Sequence, residues 1–164
     1  MIDPRGLVTM YSLLVGTLAV AVTVGLHAFS TSIIVALLKK YAIGLHARFH
    51  QSSRPLIVGL TSVCLLLKHY VDIVCWAAVY WTLVGTGQFD GFENALYFSS
   101  VTYTSLGYGD FVLTGPWRLL CGIQAINGIL LFGWSTALLF ILVQRLWQEE
   151  IRYDESDYTV NPGK

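Results

Sequence analysis

The chain has 164 residues, 55% of them hydrophobic and 12% charged, with a formal net charge of zero. Soluble domains carry about 25% charged residues, so the composition excludes an ordinary water-soluble domain, and the absence of a basic surplus argues against a nucleic-acid binder. Cys64, Cys75 and Cys121 sit in apolar runs without metal-ligand spacing, and no nucleophile motif occurs, so the residues point away from an enzyme.

In chain order, the first element is a long apolar run over residues 7–38, LVTMYSLLVGTLAVAVTVGLHAFSTSIIVALL. As a helix it is roughly 48 Å long, more than the ~30 Å hydrocarbon core requires. It is also far longer than the apolar core of a signal peptide. It contains no Arg or Lys, so it is not a charge-carrying voltage sensor. Residues 39–54, KKYAIGLHARFHQSSR, are polar and basic, with His46 and His50 read as solvated or at the headgroups. Pro55 suits the first turn of a new helix, with Ser52 or Ser53 as its cap. The second span covers residues 55–84, and GTGQFDG, residues 85–91, is a turn-rich connection. Residues 92–103 predict a helix too short to cross a bilayer. TYTSLGYGD, residues 102–110, then sets two glycines between apolar runs, which implies a loop folded back into the membrane. Pro116 opens the third span, residues 117–147, and residues 148–164 are a polar, acidic tail expected to fray. Lys39, Lys40, Arg48 and Arg54 follow the first span and only Arg5 precedes it. The positive-inside rule therefore puts that loop and the C-terminus in the cytoplasm, and the N-terminus and the GYGD loop outside.

The segment FENALYFSSVTYTSLGYGD resembles the pore helix and selectivity filter of potassium channels, in which backbone carbonyls replace the water around the ion. The resemblance covers about residues 56–147 and leaves out the first span. It implies that Ser105, Leu106, Gly107, Tyr108 and Gly109 form the ion-binding filter, with the Ser105 hydroxyl adding oxygens at the inner end. It also implies support from Thr102, Thr104, Asp110, Tyr97 and Phe98, with Asp110 accepting a hydrogen bond from Tyr97. Glycine is needed where consecutive carbonyls must turn toward one axis. One chain supplies one wall, so the pore needs four copies. Ser105 stands where the family commonly has threonine and Leu106 where it has valine. Serine keeps the hydroxyl but loses a methyl that stiffens the rotamer.

The resemblance extends into the third span. There Gly128 lies at the distance past the filter where a family glycine lets the inner helix bend. Gly133 is read instead as a close-packing glycine. Ile129, Phe132, Thr136 and Phe140 follow helical spacing and are expected to face a water-filled cavity. Asn127 either lines the pore or bonds a neighbouring helix.

Lys68, His69 and Asp72 place ionisable groups near the middle of the second span, where they are costly unless partnered. Lys68 and Asp72 are four apart on one helix face and can pair. The other reading is a pH- or state-sensitive network. The antiparallel first span offers Thr23, His27, Ser30 and Thr31, and His27 falls at the depth of Lys68. His27, Lys68 and Asp72 are therefore expected to form a buried polar cluster, closed from lipid by the first helix.

The expected fold is all-α and integral to the membrane, with three transmembrane helices plus a re-entrant pore helix and selectivity-filter loop in a tetrameric pore. Residues 1–54 are the extra N-terminal helix and basic cytoplasmic loop. Residues 55–147 are the pore module: outer helix 55–84, pore helix 92–103, filter 104–110 and inner helix 117–147. Residues 148–164 are a short cytoplasmic tail. The expected function is passive, selective conduction of K+ by a homotetramer in a prokaryotic cell membrane. The alternatives are a weakly selective monovalent cation channel and a non-conducting subunit that regulates another channel. The expected partners are three identical subunits, membrane lipid and K+ held at the filter residues. No cofactor, no other metal and no nucleic acid is expected.

Overall fold

Proline lacks the amide that a helix start leaves unpaired anyway, and Pro4 opens a helix that runs unbroken to Arg48 (α1, Pro4–Arg48). The computed structural model describes residues 4–48, 53–84 and 87–160. After α1 come α2 (Ser53–Val79), extended by a single π turn over Tyr80–Val84, and the short α3 (Phe92–Tyr103). A 3₁₀ turn at Gly115–Trp117 then leads into α4 (Arg118–Val160). No strand occurs among the described residues, and the fold is all-α. Three stretches are long and apolar enough to cross a membrane: Gly6–Lys40, Arg54–Val84 and Gly115–Leu146.

The helix bounds differ from the sequence expectation at two ends. The basic stretch after residue 38, whose start could continue the first helix on sequence grounds, extends α1 as far as Arg48, because charge alone does not stop a helix and no proline falls there. His46 thus lies on α1, while His50 and Ser52 lie outside the described residues. The tail expected to fray after residue 147 is helical to Val160. Residues 134–161 contain neither glycine nor proline, and the next breaker is Pro162. Both α1, with 45 residues, and α4, with 43, are over ~60 Å long and so extend well past a bilayer core.

α1 lies over the groove between α2 and α4. Ser12 Oγ donates to the Pro116 carbonyl at 3.2 Å, and Asn127 Nδ2 donates to Thr23 Oγ1 at 2.8 Å. At Gly16, a Cβ would stand 2.7 Å from Ile123 Cδ1, so the missing side chain is what lets α1 and α4 approach there. α3 is inserted between α2 and α4. Its buried aromatic Phe98 packs edge-on to Tyr80 with centroids 5.0 Å apart, and Phe89 stacks on Phe111 at 4.8 Å. Trp76, Tyr80 and Phe89 complete this core. Many apolar side chains remain uncovered by the chain itself; Ile126 is 70% exposed and Leu66 65%. Lipid or further subunits must cover such a surface.

Candidate functional site

α3 has 12 residues, about 18 Å of helix, and ends inside the bundle at Tyr103. A buried helix end needs partners for its last carbonyls. The chain supplies them by folding the next four amides back. Thr104 N donates to the Ser100 carbonyl at 3.2 Å and Ser105 N to Thr102 at 3.0 Å. Leu106 N and Gly107 N both donate to Val101, at 3.0 and 3.4 Å. In a planar trans peptide the C=O points opposite to the N–H. The carbonyls of Thr104, Ser105 and Leu106 therefore all face away from the end of α3. Positive φ recurs at every second residue of this loop: Ser105 at 58°, Gly107 at 53° and Gly109 at 79°. Glycine accepts this at no steric cost, whereas Ser105 is a side-chain-bearing residue held in the left-handed region. No atom of the chain lies within 4 Å of where a Cβ would stand at Gly107 or Gly109. The demand for glycine there is dihedral and not a matter of crowding.

Support for the loop comes from both sides. Tyr97 Oη donates to Asp110 Oδ2 at 2.7 Å, tying α3 to the far end of the loop. That bond, with a smaller contribution from desolvation, holds the Tyr97 phenol above its usual range. Thr104 Oγ1 donates back to Ser100 at 2.8 Å, Thr102 is half-buried, and Phe98 sits in the aromatic core. Ser105, Leu106 and Tyr108 find no cover in their own chain; Tyr108 is 68% exposed.

Two polar belts hold α3. In the one nearer the start of α3, Tyr80 Oη donates to Gln124 Oε1 at 2.7 Å and Gln124 Nε2 donates to Ser99 Oγ at 2.8 Å. Ser99 Oγ in turn donates to the Ile73 carbonyl at 2.8 Å, so one glutamine links α2, α3 and α4. In the other, at the end of α3, Lys68 donates to both His27 Nδ1 and Asp72 Oδ2, with His27 Nδ1 3.8 Å from Asp72 Oδ2. Sequence reasoning brought these three together but missed three more members. Tyr103 Oη donates to Asp72 Oδ2 at 3.1 Å and lies 3.0 Å from His69 Nδ1; His69 Nε2 lies 2.9 Å from Ser135 Oγ, itself 3.3 Å from His27 Nε2. All six side chains are buried. His69 was visible as an ionisable group beside Lys68. Nothing in the sequence gives the register that brings Tyr103 and Ser135 to it. Ser30 instead donates to its own helix at Leu26, and Thr31 Oγ1 bonds nothing among the described residues.

His27, His69 and Asp72 bring ligand-type atoms within 4.8 Å of one another, a convergence the linear spacing does not reveal. The cation facing two of them is the Lys68 ammonium, which hydrogen-bonds His27 and Asp72 at once.

On α4 the glycine packed closely within the chain is Gly128: a Cβ there would collide with the Tyr103 backbone carbonyl, while at Gly133 nothing in the chain lies within 4 Å. The helix end of α3 rests directly on α4 at that point, and only glycine leaves room. Phe132 does not face a cavity. It stacks on His69 with centroids 4.4 Å apart and meets Tyr103 edge-on at 5.4 Å. Ile129, Thr136 and Phe140 lie on an exposed face, with Ile129 62% exposed. Phe132 is turned one helical step from them toward α2.

A search of curated proteins and of solved structures gave no match. A family model described as "Ion channel" matches residues 68–145, from the middle of α2 through α3 and its loop into α4. Over that stretch the chain is similar to ion channels, proteins of passage and not of catalysis, and its three long apolar helices make it a multi-pass membrane protein.

Proposed function

We infer that the chain is the subunit of a homotetrameric potassium-selective channel, in which residues 104–110 of four copies surround one ion path. The observation that carries this reading is the common direction of the Thr104, Ser105 and Leu106 carbonyls, combined with positive φ at Ser105, Gly107 and Gly109. Aligned carbonyls from four chains make cages that replace an ion's hydration shell. The exposed loop supports the same reading, because unpaired backbone at membrane depth is tolerated only along a water- or ion-filled path. Ile129, Thr136 and Phe140 then face the inner cavity, and the exposed Leu106 and Tyr108 side chains pack against neighbouring subunits. The basic stretch after the first span orients the N-terminus outside and α4's far end in the cytoplasm. Gly128, at the contact with Tyr103, remains a natural pivot for α4, since a helix bends most readily where it carries no side chain.

A second reading has one observation in its favour. Ser105 occupies φ 58° without being glycine, a strained conformation at the inner end of the filter. A looser inner site makes the pore a weakly selective monovalent cation channel. Ion flux into liposomes containing the purified protein separates the readings. The potassium-selective pore carries K+ and Rb+ and excludes Na+, and the weakly selective pore carries all three.

A further inference from the structure

We propose that Lys68, His27, Ser135, His69, Tyr103 and Asp72 form a closed hydrogen-bond ring, with a short and a long arm that both run from the Lys68 ammonium to the Asp72 carboxylate, and that it pins the inner end of α3 only while both histidines are neutral, so that acid opens the ring and reduces ion flux. The effect on flux rests on the channel reading; the ring itself does not.

The direction follows from counting protons. An ammonium only donates, and a carboxylate only accepts. The single proton of Tyr103 Oη goes to Asp72 Oδ2. His69 Nδ1 must then be the donor to Tyr103 Oη, which leaves His69 Nε2 as an acceptor. The single proton of Ser135 Oγ fills that acceptor. His27 Nε2 is therefore the donor to Ser135, and His27 Nδ1 accepts from Lys68. Lys68 closes the circuit onto Asp72. Lys68 Nζ donates twice, Asp72 Oδ2 accepts twice, Tyr103 Oη and Ser135 Oγ each accept once and donate once, and the two histidines are held as opposite neutral tautomers: Nε2–H at His27 and Nδ1–H at His69.

The ring joins all four helices through a buried space, and its α3 member is the last residue before the loop. Tyr103 is also the residue whose carbonyl rests on Gly128. Neither histidine keeps a free nitrogen for another proton; the unpartnered acceptor of the ring residues is Asp72 Oδ1. On His27 a proton would set an N–H against the Lys68 ammonium, two donors of like charge. On His69 it would set an N–H against Ser135 Oγ, whose own proton must then turn away. The titratable and charged groups facing the histidines are Lys68, Asp72 and, further along α2, Cys75, with Tyr103 from α3 and each histidine from the other. α4 contributes only Ser135, Trp134 and Phe132, none of which can take up the charge. A proton on His27 therefore breaks its bond to Lys68, and one on His69 reverses its bond to Ser135; either disrupts the long arm that reaches Asp72 through Tyr103.

Two measurements test this in the full-length protein in liposomes. The first is nitrogen NMR of histidine-labelled protein, with His27→Gln and His69→Gln assigning the signals. At about pH 7.5 the ring requires one neutral Nε2–H and one neutral Nδ1–H histidine at these positions, and the pair of signals is followed as the pH is lowered to about 4. A charged histidine or two like tautomers at the higher pH overturns the ring. The second is K+ flux over the same range. Flux through the unaltered protein falls about fivefold or more on acidification. The double variant His27→Gln, His69→Gln keeps one donor and one acceptor at each position but cannot titrate, so its flux stays flat. Ser135→Ala opens the ring without acid and lowers flux already at the higher pH. An acid response in the double variant equal to that of the unaltered protein overturns the lock. Absence of flux at every pH instead contradicts the channel reading, and the tautomers then decide the ring alone.

Discussion

At Gly107 and Gly109 the chain asks for a backbone conformation and nothing else, since no neighbour crowds either Cα. A left-handed L-residue costs roughly 1–2 kcal/mol, and in a tetramer that cost recurs four times around one ion path. Gly107→Ala or Gly109→Ala is therefore expected to abolish K+ flux while the protein still elutes as an assembled species in size-exclusion chromatography; unchanged flux contradicts the filter assignment. A different constraint acts between Tyr97 and Asp110, whose bond spans the loop from one end to the other. Because that bond raises the phenol's pKa, the phenol stays a neutral donor through neutral pH, and its support is lost only as pH rises past the ordinary tyrosine range. Tyr97→Phe and Asp110→Asn each remove the same bond. Their effects on the decay of flux with time should be less than additive in a double-mutant cycle, and strict additivity argues that the two do not act together.

At the scale of elements, the contact between α3 and α4 is set by one missing side chain. A Cβ at Gly128 meets backbone and not a flexible side-chain end, so α4 must move off Tyr103 to admit it. Gly128→Ala is expected to lower stability by about 1–3 kcal/mol, as overpacking does. Gly133→Ala meets nothing within the chain and removes a helix-interior glycine, so it should be neutral or stabilising by up to ~1 kcal/mol unless a neighbouring subunit lies against it. Thermal denaturation of the detergent-solubilised protein ranks the two, and a reversed order contradicts the packing described. The same scale explains what the sequence made legible. The residue range of α3, 92–103, was readable because Gly91 and the turn residues before it mark its start and the filter motif marks its end. The extent of α1 and α4 was not, because a polar, charged stretch does not show where a helix stops and breakers do. Which residues of α4 face α2 was also hidden. Phe132 and Ile129 are three apart on one helix, and only the rotation of that helix decides that one stacks on His69 while the other is exposed.

For the whole molecule, the polar belt at the end of α3 is one of the places where α1 joins the rest, beside its contacts at Ser12, Gly16 and Thr23. Lys68 and Asp72 could be paired from sequence because four residues is one helical turn, and His27 could be placed by depth. The closing members, Tyr103 and Ser135, come from helices whose register no local pattern encodes. Removing one charge strands the other in a buried site, so Lys68→Met or Asp72→Leu alone should cost about 3–5 kcal/mol. The double replacement should recover only part of this. It removes both charges but leaves the Tyr103 hydroxyl and His27 Nδ1 without the partners they have now. Full recovery in thermal denaturation would mean that the pair stands apart from the ring. Above all, four copies of the loop are held to surround one ion path. The measurement that tests this most directly is ion flux into liposomes reconstituted with the purified chain alone, comparing K+, Rb+ and Na+ with Gly107→Ala as the control. The account predicts K+ and Rb+ flux, Na+ excluded, and no flux in the variant; an absence of flux from the unaltered chain, or flux that survives Gly107→Ala, contradicts it.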